Sequence, residues 1–163
     1  MPRAIRLLVL DVDGVLTDGR LYFGPRGEVL KVFHVRDGHG IVQLQRAGLQ
    51  VAVISGRRSR MVSARCRELG VRHLHQGVGD KLRLLERLLA RLKLGAADCA
   101  CVGDDLPDLP LMRHVGLSFA VADAHPKVRR VADVVTRLPG GHGAVREVCD
   151  HLMGRHARAA RRT

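Results

Sequence analysis

The sequence predicts an α/β domain built on a mainly parallel sheet with helices on both faces, and three observations carry that prediction. Short apolar runs alternate with amphipathic segments along almost the whole chain. Three of those runs end in acidic, glycine or hydroxyl residues, as strands do where their carboxyl ends form a ligand-binding edge. At 163 residues and 46% apolar content, the chain is long enough for one substantial core.

Taken in order, IRLLVLD (5–11), QVAVIS (50–55), HLHQ (73–76), CACVGD (99–104), SFAVA (118–122) and DVVT (133–136) read as strands buried on one or both faces. The clearest helix is DKLRLLERLLARLKLG (80–95). There Leu85, Leu88, Leu89 and Leu92 follow i, i+3, i+4, i+7 spacing, Asp80 is placed to cap the start and Gly95 to end it. Its apolar stripe is expected to face its own sheet. Strands alternating with helices imply right-handed crossovers and therefore a parallel sheet. One segment breaks the alternation. RLYFGPRGEVLKVFHV (20–35) sets two β-prone runs around Gly24-Pro25-Arg26-Gly27, a hairpin with a four-residue turn that should project from the carboxyl edge of the sheet. No repeat or linker divides the body, so residues 1–153 read as one domain and residues 154–163 as a basic tail expected to fray.

Charge narrows the classes of partner. Lys and Arg total 28 against 16 Asp and Glu, a formal +12, which suits phosphate, carboxylate or nucleic-acid ligands. Aromatic residues make up only 2%, and single-strand binders use aromatic platforms for base stacking, so no nucleic acid is expected as partner. Cys66, Cys99, Cys101 and Cys149 show no CxxC pair and no histidine at zinc-finger spacing; they read as buried, reduced thiols. The N-terminal apolar run is short for a signal peptide and holds Asp11 and Asp13, and no segment reaches membrane-span length. No membrane partner and a cytoplasmic setting are the expectation. His73 and His75 share a face of one short strand without a third ligand, so no metal is expected there.

The chemistry gathers at strand ends. Asp11 and Asp13 close the first strand, Ser55-Gly56-Arg57 the second and Gly103-Asp104-Asp105 the fourth. Carboxylates brought together repel one another unless a cation sits among them, and an all-oxygen set favours magnesium over zinc. With a metal holding a phosphate, one carboxylate can attack phosphorus while the other passes a proton to the leaving oxygen. A hydroxyl and backbone amides should hold the transferring oxygens, for which Ser55 and Gly56 are placed. Lys81, opening the leucine helix, could neutralise developing charge. Taken alone, Ser55 reads equally as a helix cap and Lys81 as a solvated lysine.

In this order LDVDGVLTD, VISGR, Lys81 and GDDLPD resemble the four motifs of the haloacid dehalogenase superfamily of phosphohydrolases, across nearly the whole chain. The resemblance implies a three-layer Rossmann-like fold, Asp11 as nucleophile, Asp13 as general acid and base, and Ser55 and Lys81 as phosphate ligands. It also implies an Mg2+ cofactor held by Asp11, the Asp13 backbone carbonyl and Asp104, with Asp105 and Asp108 orienting metal-bound water or neighbouring groups. HVRDGHGI (34–41), AVADAHP (120–126) and GGHGAVREVCD (140–150) look like the small capless branch that dephosphorylates 3-deoxy-D-manno-octulosonate 8-phosphate, and no insert is large enough for a separate cap domain. In that branch the hairpin helps assemble a homotetramer, and a neighbouring subunit roofs each site. Its substrate contacts fall on His34, Val35, Arg36, Asp37 and Gly38, together with Asp13, Gly56, Arg57, Arg65 and Lys81. Three positions depart from the branch: His34 stands for an asparagine, and Val42 and His142 each for an arginine. A guanidinium missing at position 42 leaves nine-carbon sugar-acid phosphates open as substrates. A non-catalytic assembly subunit is the alternative of another class, and the intact set Asp11, Asp13, Lys81 and Asp104 argues against it.

Overall fold

The structure, a computed structural model, describes residues 4–160. Its strands are β1 (Leu7–Leu10), β2 (Tyr22–Gly24), β3 (Gly27–Leu30), β4 (Gln50–Ser55), β5 (His73–Gln76), β6 (Cys99–Gly103), β7 (Leu117–Ala120) and β8 (Val134–Val135). Its helices are α1 (Val35–Arg46), α2 (Arg60–Glu68), α3 (Lys81–Leu92), α4 (Leu109–His114), α5 (Pro126–Val131) and α6 (Ala144–Ala160). Six strands form one sheet in the order β5-β4-β1-β6-β7-β8, every neighbouring pair parallel. β2 and β3 form a separate antiparallel hairpin.

That strand order follows from the sequence pattern. β1 is central and buried along its whole length, as an uninterrupted apolar run should be in a parallel sheet covered on both sides. The chain moves from β1 outward through β4 to β5, then returns across the sheet to β6, β7 and β8. Right-handed crossovers then put α1 and α2 on one face and α3, α4 and α5 on the other. The packing agrees: α1 lies against α6, and α4 touches both α3 and α5. The point where the winding reverses lies beside β1, and that is where an open parallel sheet leaves its ligand crevice. β1 and β6 are adjacent there, with Leu10 opposite Val102, so the residues just beyond them share one edge.

Local signals account for most boundaries. Asp80 accepts a hydrogen bond from the Arg83 amide at 3.0 Å and caps α3, whose Leu85, Leu88 and Leu89 are buried. The helix ends two residues before the expected stop: Lys93 takes the left-handed conformation at φ 55°, and Gly95 opens a following 3-10 turn instead. The hairpin turn is tighter than expected as well, because Gly24 pairs directly with Gly27 and leaves only Pro25 and Arg26 between the strands. The basic tail expected to fray spans 154–163; α6 continues through Ala160, and residues 161–163 lie outside the described residues.

The loop after β1 has no room to spare. Gly14 sits at φ +86°, and a Cβ there would fall 1.9 Å from the Asp104 Oδ2. From the other side, a Cβ on Gly140 would fall 1.8 Å from the Gly14 carbonyl oxygen, and the Gly141 amide donates to the Val15 carbonyl at 3.0 Å. Gly140-Gly141 is therefore a seat for the β1 loop. Gly140→Ala should push that loop out of register and destabilise the fold by about 2 kcal/mol or more, with activity lost in parallel; denaturant unfolding of the two proteins checks it.

Candidate active site

Asp11 and Asp104 follow the neighbouring strands β1 and β6, so the sheet brings them together without any help from loops. Asp108 joins them from the turn that precedes α4, and one carboxylate oxygen from each of the three lies within 4.8 Å of the others. Gly103 makes room for the third member: a Cβ there would fall 2.6 Å from the Cβ of Asp108. The Asp108 carboxylate is fixed from two sides. It accepts from Lys81 Nζ at 2.8 Å and from the Asp104 amide at 3.1 Å. Lys81, almost wholly buried at the start of α3, also reaches Asp11 Oδ1 at 3.1 Å.

Three carboxylates around one ammonium leave an excess of negative charge where Asp108 is buried and Asp11 and Asp104 are only partly open to water. Burial first, then repulsion from Asp108, raises the Asp11 carboxyl to about 6 against the pull of Lys81. Burial and repulsion from Asp108, Asp11 and Asp105 push Asp104 up to about 8. A protein gains nothing in stability from such an arrangement, and a divalent cation with hard oxygen preference fits it. Asp11, Asp104 and Asp108 are the side chains that could hold one.

The cleft around them has a volume of about 360 Å³ and is lined by Asp11, Asp13, Ser55, Gly56, Arg57, Lys81, Asp104, Asp105 and Asp108, with Gly19 and Pro107. Ser55 ends β4 with its hydroxyl accepting from the Arg57 amide at 3.3 Å. Asp105 is exposed and its carboxylate accepts from the Leu106 amide at 2.8 Å. Asp13 stands outside the carboxylate triangle. Its Oδ1 accepts from Lys31 Nζ at 2.5 Å, and its Oδ2 lies 3.8 Å from Arg57 Nε. Lys31 and its second partner Glu28 were not among the sequence-derived candidates; a lysine and a glutamate on a hairpin carry no signal until the hairpin is seen to fold back over the cleft.

The other substrate-contact candidates lie apart from this cleft within one chain. His34 caps α1, its Nδ1 accepting from the Arg36 amide at 3.2 Å, while Val35 and Arg36 are exposed. Asp37 is 1% exposed and ties α1 to α6, accepting from the Arg146 amide at 2.8 Å. Gly38 is buried against Arg65, where a Cβ would fall 2.2 Å from Nη2. Arg65 itself pairs with Glu68 at 2.9 Å. Within one chain Asp37 Oδ1 and Gly38 thus serve helix packing, while the buried Asp37 Oδ2 has no well-directed hydrogen-bond partner among the described residues. Val42 lines a different cavity, with Gln50 and His73 at the amino-terminal edge of the sheet, so it does not bear on the carboxylate cleft of its own chain. His142 lies with Arg36, Arg137 and Arg146 in a further cleft beside α6.

The two raised carboxyls give a pH dependence of definite sign. Each binds its proton more tightly in the folded chain than in the unfolded one, where the value is 3.8. Between about 4 and about 8 the folded state carries the extra protons, so stability without a cation falls as pH rises through that window. Thermal melts in chelator should show that fall, reduced in Asp104→Asn. Added Mg2+ should raise the melting temperature more at the top of the window than at the bottom.

Comparison with known proteins fits this geometry. Residues 74–147 match the haloacid dehalogenase-like hydrolase family. The 3-deoxy-D-manno-octulosonate 8-phosphate phosphatase KdsC of Escherichia coli K12 is 54% identical over 149 residues, 91% of this chain and 79% of that protein. The crystal structure of a probable YrbI family phosphatase from Pseudomonas syringae pv. phaseolica 1448a superposes with a TM-score of 0.94 at 49% identity, over 98% of this chain and 92% of that one. The 3-deoxy-D-manno-octulosonate 8-phosphate phosphatase of Moraxella catarrhalis, solved with magnesium ion, phosphate ion and KDO, gives 0.90 at 42% identity, over 92% and 86%. With its parallel sheet, its carboxylate cleft and this identity along nearly its whole length, the chain belongs to the haloacid dehalogenase-like hydrolases, in the branch of the 3-deoxy-D-manno-octulosonate 8-phosphate phosphatases.

Proposed function

We propose that the protein is a magnesium-dependent phosphomonoesterase that converts 3-deoxy-D-manno-octulosonate 8-phosphate to the free sugar acid and phosphate. The observation that carries this reading is the cluster of Asp11, Asp104 and Asp108 around Lys81 at adjacent strand ends, with the Asp13 carboxylate on the same cleft. Magnesium, which the Moraxella catarrhalis relative holds together with phosphate and KDO, supplies positive charge that neutralises the carboxylates and the phosphoryl oxygens.

The chain's own groups account for the steps. An oxygen of ionised Asp11 attacks phosphorus, and the bond from phosphorus to the sugar oxygen breaks, leaving an acyl phosphate on Asp11. Asp13, protonated in the substrate complex after Arg57 has turned to the substrate, gives that proton to the departing sugar oxygen and becomes the carboxylate. It then takes one from the water that attacks phosphorus, and phosphate leaves with Asp11 regenerated. Lys81 holds charge near the transferring group, and Ser55 with the backbone at Gly56 offers donors at the end of β4. Arg57, 42% exposed at the rim, suits the acidic end of a sugar acid.

The reading extends to assembly. Phe23 at 63%, Val29 at 62%, Val32 at 51% and Val35 at 75% exposure line the hairpin and the start of α1, an apolar surface of the kind a monomer rarely leaves open. We assign it to a homotetramer in which neighbouring chains roof each cleft, and in which half-buried His34 and exposed Val35 and Arg36 serve a neighbour's substrate. A reducing, cytoplasmic setting suits the four cysteines, all free and buried; no helix among the described residues is long and apolar enough to cross a membrane.

Phosphate release from 3-deoxy-D-manno-octulosonate 8-phosphate should require Mg2+ and fall by about 10⁴-fold or more in Asp11→Asn. It should exceed release from nine-carbon sugar-acid 9-phosphates. A reversed preference would move the assignment to the nine-carbon acids, and no release from either would end it. In a separate test, replacing Phe23, Val29 and Val32 by Ser should lower both oligomer size and activity, as light scattering and the same assay report; a fully active monomer would refute the roofed site.

A further inference from the structure

The hairpin does something within its own chain as well. Lys31 follows β3, where Val29 and Val32 on either side of it are more than half exposed, yet its own side chain is only 1% exposed. An ammonium is taken out of water only where partners compensate it. Here they are two carboxylates, Asp13 Oδ1 at 2.5 Å and Glu28 Oε1 at 2.9 Å. Burial alone would lower the Lys31 pKa; the hydrogen bonds and charges of Asp13 and Glu28 outweigh it and raise the value, so the group stays charged.

A second cation touches the same pair of acids on different terms. Arg57 lies 3.8 Å from Asp13 Oδ2 and 3.6 Å from Glu28 Oε1, with 42% of its side chain exposed. The four charges cancel, but the two cations are not equivalent. Arg57 is loosely held and accessible, free to turn toward an anionic substrate. Lys31 is sealed in with short contacts and has nowhere to turn. Glu28 Oε1 is buried without a well-directed hydrogen bond; its place is explained by charge, because without it two cations would face the Asp13 carboxylate.

We propose that Lys31 is a positioning residue for proton transfer: from the hairpin of the same chain it holds one oxygen of Asp13, so that the carboxylate keeps its orientation when Arg57 leaves it for substrate. The inference rests on the phosphatase reading above, in which Asp13 protonates the departing sugar oxygen as its bond to phosphorus breaks. It gives the hairpin a part in the chemistry distinct from any part in assembly.

The experiment compares kcat/KM for two esters with leaving groups of different basicity. A sugar alkoxide needs the proton, whereas para-nitrophenolate departs with little help. Lys31→Met should lower kcat/KM for 3-deoxy-D-manno-octulosonate 8-phosphate by about tenfold or more and for para-nitrophenyl phosphate by less than about threefold. Lys31→Arg should recover part of the difference. In an Asp13→Asn background Lys31→Met should add no further discrimination between the two esters. Because the two rates are taken on one sample, any loss of folded protein cancels in their ratio, and light scattering checks that Lys31→Met keeps the wild-type oligomer size, since a lost roof would also lower the rate on the sugar phosphate alone. An equal fall for both esters, or no fall, overturns the positioning role and leaves the phosphatase reading standing. A wild-type protein inactive on both esters overturns that reading, and the positioning role with it.

Discussion

Every feature of the cleft depends on one electrostatic constraint: Asp11, Asp104 and Asp108 bring their carboxylates within 4.8 Å in a buried place with Lys81 as the cation they share. Two of the three are set by the sheet itself. β1 and β6 are parallel neighbours, and residues one step past their ends have to be close. Asp108 requires Gly103 and Asp104 requires Gly14, since a Cβ at either position would collide with that aspartate. Gly140 and Gly141 then fix the loop that carries Gly14. Sequence positions more than a hundred residues apart thus serve one purpose, holding like charges at a spacing they would not choose. The fold's stability supports that arrangement, and a bound cation relieves it.

Around this fixed centre the cleft carries a second, neutral set of charges. Asp13, Glu28, Lys31 and Arg57 cancel one another, so this part of the site needs no metal to be stable. The division is chemically sensible. The cluster with excess negative charge suits a cation and the phosphoryl group, while the balanced cluster lies where a proton is to be moved and a sugar acid received. The hairpin segment that supplies half of the balanced cluster also presents Leu21, Phe23, Val29, Leu30 and Val32 to the surface, so chemistry and association meet in one short element.

Much of this was legible in the chain. Alternating apolar and amphipathic segments, together with right-handed crossovers, are enough to place Asp11, Ser55 and Asp104 on one edge. Lys81 follows from them, since it opens the helix after β5 at that same edge. What was not legible depended on contacts between distant elements. Lys31 and Glu28 look like ordinary hairpin charges until the hairpin folds back. Asp108 reads in the sequence as orienting metal-bound water or neighbouring groups, but a 3-10 turn after β6 swings its carboxylate into the cluster; the ligand expected of Asp13 is its backbone carbonyl, which the contact of its side chain with Lys31 does not involve. Asp37 carries a motif-like context, yet its Oδ1 is spent on the first turn of α6. Val42 lies two turns along α1 from its first residue, a distance from the stretch His34 to Gly38 that helical periodicity could have exposed.

The central claim is that the carboxylate cluster is built for a divalent cation and is over-protonated without one. Titration calorimetry with Mg2+ in two buffers of different ionisation enthalpy measures it directly, because the difference in heats counts protons released on binding. The account predicts one ion per chain, with proton release near neutral pH that falls away above about 8, where Asp104 is already ionised. Binding unaffected by Asp104→Asn, or binding with no proton release at any pH, would contradict it.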